Sequence, residues 1–568
     1  MIHSFLSQLR TIINSGQSRS VILSGNIYDL FYDGKKFVPL MDCLTAKYQV
    51  DSNGSSKGIL LVTYEMNNEV IIKGNGRDEL AAAFKTCAGD DLDKCCTTAN
   101  GHPTMAMEFL RQLTICARKQ NLKNNLLIVI EQADMIIPQD EIARMSIADR
   151  RRLQIVFDWL SDPDFMDSHD SVVLIAESRS QIHGRISKLP QVLSVEVPSP
   201  NLEERQLFTK LWCDNHSSPI MDGVTCDDFG NLTAGLSIHA LRQLLCVSPI
   251  TKQALDDKVE EYIVSQLGEG VVEFQRPTHT FKDVLGYAQI KRFMTDEMIP
   301  RFKSDPEAAL CGAAVGGPIG GGKTYICEAL ASELGLPVLV LKNLRSKWFG
   351  ETDIIFERLR RALTALNKVV IFVDEADTQF GGLGDEVHET EKRLTGKIQA
   401  MMSDTALRGK VLWLLMTARI HKLSPDIRRP GRVGDLIIPI LDPDGDDRTE
   451  FIYWIMKAIG IDQPTKGVEG NVDYIQLDRA TRNYSSASFA ALRALLKSKL
   501  CRSVRQAVEI CDDMIQPDIG DTRRYQTLQS LVNCTRKSLL PKSEYQHIET
   551  QRDEWRKEIF ALESRGIR

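Results

Sequence analysis

Short apolar-rich runs recur along the chain, separated by longer amphipathic stretches. In the first part they fall at residues 20–23, 126–130, 172–176 and 192–197; in the second, at 311–315, 338–341, 369–373, 411–416 and 436–440. Runs this short, bounded by polar or turn-forming residues, predict strands buried on both faces. Strands of that kind alternating with helices predict parallel α/β sheets. The residues ending the runs correspond between the two series. Run 126–130 ends in Glu131-Gln132-Ala133-Asp134, and run 369–373 in Asp374-Glu375-Ala376-Asp377. Run 172–176 ends in Glu177-Ser178-Arg179, and run 411–416 in Thr417-Ala418-Arg419. Helical segments follow both series, at about 201–265 and 446–515. Two copies of one architecture are the expectation.

This pattern sets the domains: an α/β domain at 1–200, its helical lid at 201–266, a linker at 267–280, a second α/β core at 281–445, its lid at 446–515, and a helical extension at 516–568. The linker is read from Gly268, Gly270 and Pro277. In the extension, Leu528, Leu531 and Val532, then Trp555, Ile559, Phe560 and Leu562, stand at helical spacing. It reads as a helix packed on the second lid, or as an arm that docks on a partner.

Composition narrows this picture. A chain of 568 residues is too long for one core, and 43% hydrophobic with 26% charged residues is ordinary for a soluble globular protein. A formal charge of −6 argues against a dominant nucleic-acid role. No apolar run is long enough to cross a bilayer, and residues 1–9 lack the pattern of a secretory signal. The 13 cysteines lack paired metal spacing; Cys95-Cys96 could form a vicinal redox or metal pair, but free thiols in a reducing cytoplasm are the preferred reading.

The strongest chemical signal is Gly317-Pro318-Ile319-Gly320-Gly321-Gly322-Lys323-Thr324, which fits G-x-x-x-x-G-K-[ST]. A predicted strand precedes it, and a predicted helix follows from 324 to 333. Glycines let backbone N–H groups turn inward around a polyphosphate, and the helix N-terminus adds its positive end. Lys323 would reach the β- and γ-phosphates, and Thr324 would ligate Mg²⁺. The run 369–373 delivers Asp374 and Glu375 to the carboxyl end of the sheet. There Asp374 suits the Mg²⁺ shell, and Glu375 suits polarisation of an attacking water. ATP and Mg²⁺ are the expected ligands.

The segment Phe281-Lys282-Asp283-Val284-Leu285-Gly286, the phosphate loop, Asp374-Glu375 and Arg429-Pro430-Gly431-Arg432 follow one another in the order found in AAA ATPases. The stretch 275–515 resembles that family, closest to modules of severing and remodelling ATPases and of AAA proteases. The resemblance implies a P-loop NTPase (AAA+) core with a helical lid, and a homo-oligomeric ring of six subunits acting on a polypeptide or protein assembly. It assigns Asp283, Leu285, Gly286 and Tyr325, with the loop itself, to ATP binding. It makes Arg429 and Arg432 arginine fingers aimed at a neighbour's γ-phosphate; the alternative is two surface arginines beside a Pro-Gly turn. It makes Lys347, Trp348 and Phe349 a substrate-gripping pore loop, where a buried apolar pair is the alternative. It sets residues 381–389 as a second pore loop, with His388 read as a solvated loop residue.

Two departures from the family stand out. Its Thr-Asn at the end of the run 411–416 is Thr417-Ala418 here, so the asparagine that orients water is lost. Thr417 should face the other way, and Arg419 is another possible substitute. Asn483-Tyr484-Ser485-Ser486-Ala487 stands where the family has glycines near the adenine. Binding should survive and hydrolysis should be slow.

The first half resembles a degenerate AAA core: Glu131-Gln132 replaces Asp-Glu, and no Lys-Thr loop follows residues 20–23. Its expected role is structural, with residual nucleotide binding the lesser reading. Three functions are compatible with these features. The first is an ATP-driven protein remodeller that pulls polypeptide through a pore. The second is a slowly hydrolysing, nucleotide-gated assembly scaffold or chaperone. The third, disfavoured by charge, is a DNA-translocating ATPase.

Overall fold

The computed structural model describes residues 3–48, 58–216, 225–246, 251–267, 272–305, 307–342, 352–366, 368–380, 389–429, 431–461, 471–515, 517–541 and 547–567. The chain forms two compact units, Met1–Ile263 with Asp353–Ala365, and Val264–Thr352 with Leu366–Arg568.

In the first unit the strands are β1 (Ser20–Gly25), a small hairpin of β2 (Leu30–Tyr32) and β3 (Phe37–Pro39), β4 (Ile59–Tyr64), β5 (Ile71–Lys73), β6 (Asn125–Ile130), β7 (Ser171–Ala176) and β8 (Val192–Val197). The main sheet runs β5-β4-β6-β7-β1-β8, parallel except for β5. Side chains alternate across it. Leu126, Ile128 and Ile130 enter one apolar cluster, while Leu127 and Val129 enter another on the opposite face. Four helices follow, Leu202–His216, Cys226–Leu232, Ile238–Leu245 and Lys252–Leu267.

The second unit holds β9 (Val272–Gln275), β10 (Gly312–Gly316), β11 (Val338–Leu341), β12 (Val369–Val373), β13 (Val411–Thr417) and β14 (Ile437–Pro439). Its sheet reads β9-β11-β12-β13-β10-β14, again with one antiparallel edge strand. In both sheets, the first parallel strand in the chain (β1 or β10) pairs with the fourth and fifth (β7 and β8, or β13 and β14). The two α/β cores therefore share a strand order, as their run endings led us to expect. Only the edge strand differs in origin: β5 follows β4 in the chain, whereas β9 precedes the whole core.

Strand β9 corrects one expectation. The stretch 267–280 is not simply a linker, because Val272–Gln275 pairs antiparallel with β11 along its whole length. Its glycines and proline lie outside those four residues, so turn chemistry hid a strand with the alternating pattern Val-Glu-Phe-Gln.

The second lid consists of Gly445–Ala458, Val472–Ala480, Ser486–Ser498 and Val504–Asp513. Asn471, Ser485 and Ser503 cap the last three, each accepting a backbone N–H near the start of its helix. The extension forms the helices Gly520–Asn533 and Ile548–Ser564, which pack on each other. The first of them lies against β14 and the turn Ile420–Lys422 of the α/β core. This corrects the expectation of packing on the lid. Its buried face carries Tyr525, Leu528 and Leu531, which join the cluster formed by Val315, Leu414 and Ile438.

Candidate functional site

The phosphate loop begins where β10 meets the end of β14. A Cβ on Gly317 would stand 1.9 Å from the Ile440 carbonyl oxygen, so only glycine passes there. At the other end, Gly322 has φ 81° and turns the chain into the helix Lys323–Leu334. Between them the Lys323 ammonium donates to the carbonyls of Gly317 and Pro318, at 3.0 Å each. Burial lowers its pKa, and Asp374 is the largest opposing charge. The lysine is thus folded back onto the backbone of its own loop.

At the carboxyl end of β12, Asp374 and Glu375 are exposed. Asp374 accepts the Glu375 N–H at 2.8 Å, and Glu375 adopts φ 46°, left-handed for a non-glycine residue. Thr324, Asp374 and Glu375 line one cavity of about 470 Å³ together with Gln275 and Met416. A hydroxyl and a carboxylate facing a shared space are hard oxygen donors of the type Mg²⁺ takes. The donor set therefore fits that ion.

Beside them, Thr417 is 1% exposed and donates its hydroxyl to Asp377 Oδ1 at 2.5 Å. Arg419 gives its backbone N–H to the Thr417 hydroxyl and brings Nε to 2.5 Å from Asp377 Oδ2. Thr417 and Arg419, the two chain neighbours of Ala418, are thus both drawn to Asp377.

The loop 280–288 bridges the core and the lid. Asp283 is exposed and accepts from the Thr280 backbone and hydroxyl, contacts that depress its pKa. Leu285 is half-buried against the core, and the Gly286 N–H goes to Glu450 of the lid at 2.7 Å. The neighbouring Tyr287 was not singled out from sequence. Its hydroxyl donates to the Gly321 carbonyl at 2.6 Å and pairs with the Ser486 hydroxyl, while the Ala487 N–H donates to the Gly320 carbonyl. Ser486, one of the departures in the lid, is therefore bonded to the loop through Tyr287. Tyr325 is exposed, with its ring stacked on His279 at 3.8 Å.

The two candidate fingers differ. Arg429 is exposed, with Nη1 3.7 Å from Asp426. Arg432 is held inside its own unit, donating Nε to the Ser403 hydroxyl and Nη1 to the Asp426 carbonyl. Sequence reasoning also missed Gln526 and Arg523. Gln526 Oε1 accepts the Ile319 N–H at 3.0 Å, and Arg523 Nη2 pairs with Asp442 at 2.5 Å. Their signal was a polar stripe, Arg523, Gln526, Ser530 and Asn533, running along one side of an amphipathic helix. Lys347, Trp348 and Phe349, the loop 381–388 with His388, and Pro430 lie outside the described residues.

The equivalent place in the first unit keeps the backbone and changes the chemistry. A Cβ on Gly25 would stand 2.5 Å from the Val197 carbonyl, as Gly317 meets Ile440. Gln132 adopts φ 49°, the conformation of Glu375, but its amide cannot take up a proton. The helix N-terminus at Ile238 already has a carboxyl group of its own chain. Asp29, 3% exposed, accepts the N–H groups of Ile238 and His239 at 3.0 Å each and the Asn26 amide at 2.9 Å.

Residues 1–198 match the family model of the AAA+ chaperone N-terminal Rossmann-like domain, and residues 314–438 that of the ATPase family associated with various cellular activities (AAA). The chain is 29% identical over 198 residues to the protein SAV of Sulfolobus acidocaldarius, covering 34% of this chain and 24% of that one. It is 30% identical over 212 residues to the human ATPase family gene 2 protein homolog A, covering 35% and 23%. It is 26% identical over 250 residues to the cell division cycle protein 48 homolog of Archaeoglobus fulgidus, covering 42% and 32%. The similarity thus spans only a quarter to a third of the length of these relatives.

Proposed function

The chain belongs to the AAA+ ATPases, and on that premise we propose that its second unit binds and slowly hydrolyses ATP within a homo-oligomeric ring, one of six subunits by family analogy, to remodel protein substrates. The convergence of Thr324, Asp374 and Glu375 on one cavity beside the phosphate loop carries this reading. Lys323 would exchange its bonds to Gly317 and Pro318 for the β- and γ-phosphates. Thr324 and Asp374 would hold Mg²⁺, which neutralises charge on the phosphate oxygens when bound. Glu375 would orient and polarise the attacking water, and Arg429 would complete the site of a neighbouring subunit. Lys347, Trp348 and Phe349 are proposed to grip the polypeptide.

A second reading, the nucleotide-gated scaffold that rarely turns over, is favoured by the attachment of Thr417 and Arg419 to Asp377, which leaves no polar side chain in the place of the family asparagine. ATP turnover measured across protein concentration, with particle size in parallel, separates the two. Turnover that rises with assembly and vanishes in Glu375→Gln supports the remodeller. Assembly and ATP binding with turnover equal to that of Glu375→Gln would replace it with the scaffold.

A further inference from the structure

We propose that the first helix of the extension, Gly520–Asn533, is a positioning clamp on the phosphate loop, with Gln526 and Asn533 as its two separable contacts. The inference rests on the nucleotide reading of that loop. Ile319 is the third residue of the loop, and its side chain is 52% exposed, so packing does little to fix it. Its two backbone polar atoms are held instead by side chains of one helix. Gln526 Oε1 accepts the N–H at 3.0 Å, and Arg523 Nε donates to the carbonyl at 3.3 Å. Arg523 also pairs with Asp442 at 2.5 Å, tying the loop to the segment that follows β14.

The middle of this polar side is closed to water. Gln526 is 3% exposed and Ser530 is fully buried, and a Cβ on Gly316 would stand 3.0 Å from the Ser530 hydroxyl. A buried amide is costly unless its bonds are made, so the Gln526 contact defines where the loop sits. Further along the same helix, about 10 Å from Gln526 by the rise per residue, Asn533 Oδ1 accepts from Arg428 Nη1 at 3.0 Å. Arg428 immediately precedes Arg429. One helix therefore touches both the loop that would hold the subunit's own nucleotide and the segment that would reach a neighbour's.

The test uses the full chain carrying Gln526→Leu, Gln526→Glu or Asn533→Ala, with Lys323→Ala as a control. Without nucleotide, Gln526→Leu should raise hydrogen exchange in the peptide containing the Ile319 amide, and Gln526→Glu, which keeps the acceptor oxygen, should not. With a fluorescent ATP analogue, Gln526→Leu should weaken binding about fivefold, with Gln526→Glu near wild type. Asn533→Ala should lower kcat at saturating ATP and leave the affinity unchanged. Unchanged exchange in Gln526→Leu overturns the clamp whatever ATP does. Equal impairment of the leucine and glutamate variants with a common fall in Tm also overturns it, because that is the mark of packing alone. Wild type binding nucleotide no better than Lys323→Ala would sink the ATP reading instead, and the exchange result would still decide on the clamp.

Discussion

Thr417 donates its hydroxyl to Asp377 at 2.5 Å, and Asp377 also holds Arg419, so both neighbours of Ala418 turn to the same buried carboxylate. The end of β13 is thereby fixed without offering a side chain to water near Glu375. Replacing Ala418 with Asn places an amide there while leaving the Thr417 hydrogen bond and the Arg419 ion pair to Asp377 in place. Ala418→Asn should raise kcat about tenfold, the effect of about 1.4 kcal/mol at the transition state. ATP affinity should stay unchanged. Steady-state turnover and equilibrium binding check this together, and an unaltered kcat would show that another group positions the water.

Arg429 and Arg432 should separate in the same assay. Arg429 is exposed and loosely paired, whereas Arg432 donates to Ser403 and to the Asp426 carbonyl. Arg429→Ala should lower assembly-dependent kcat about 10³-fold, within the range for arginine fingers, with Tm unchanged. Arg432→Ala should lower Tm as well, since it strips charge-assisted bonds from its own unit. Equal loss of kcat without any change in Tm would instead make Arg432 a finger.

Strands and site differ in how openly the sequence announced them. Runs such as 369–373 were legible because burial on both faces of a parallel sheet demands unbroken apolar residues. The phosphate loop was legible because few residue types fit its backbone. Strand β9 was missed because an edge strand needs only four alternating residues, set here between glycines and a proline. Tyr287 and Gln526 were missed for another reason: their partners, Gly321 and Ile319, lie 34 and 207 positions away and contribute backbone atoms that carry no sequence signature. The left-handed turn at Gln132, which relates the first site to Glu375, was equally invisible in a residue that gives no hint of it.

Tyr287 gives the second unit a bridge between lid and phosphate loop. Tyr287→Phe removes the bond to the Gly321 carbonyl and the pairing with Ser486 while keeping the ring in the core. Each lost bond should cost about 0.5–1.5 kcal/mol. Lower Tm and faster release of a fluorescent nucleotide, followed by stopped flow, are expected. Normal release kinetics with lowered Tm would confine Tyr287 to packing.

Glu131 makes the stability of the first unit depend on pH with an unusual sign. Burial first, then the nearby Glu65 and Asp42, push its pKa from 4.5 up to about 7, against the opposing charge of Lys73. The folded chain therefore holds the proton more tightly than the unfolded chain between about pH 4.5 and 7. Unfolding releases that proton, so this group's contribution to stability falls as pH rises through the window and stays low above it. The side chain is only partly buried, which screens the effect to roughly 1–2 kcal/mol. Glu131→Gln has no proton to lose and no charge to bury. In urea titrations of the intact chain at pH 5 and pH 7, the wild type should lose more stability between the two than Glu131→Gln, and the variant should be the more stable at pH 7. Parallel pH dependence in both chains would show that the carboxylate finds enough solvent to ionise freely in the fold.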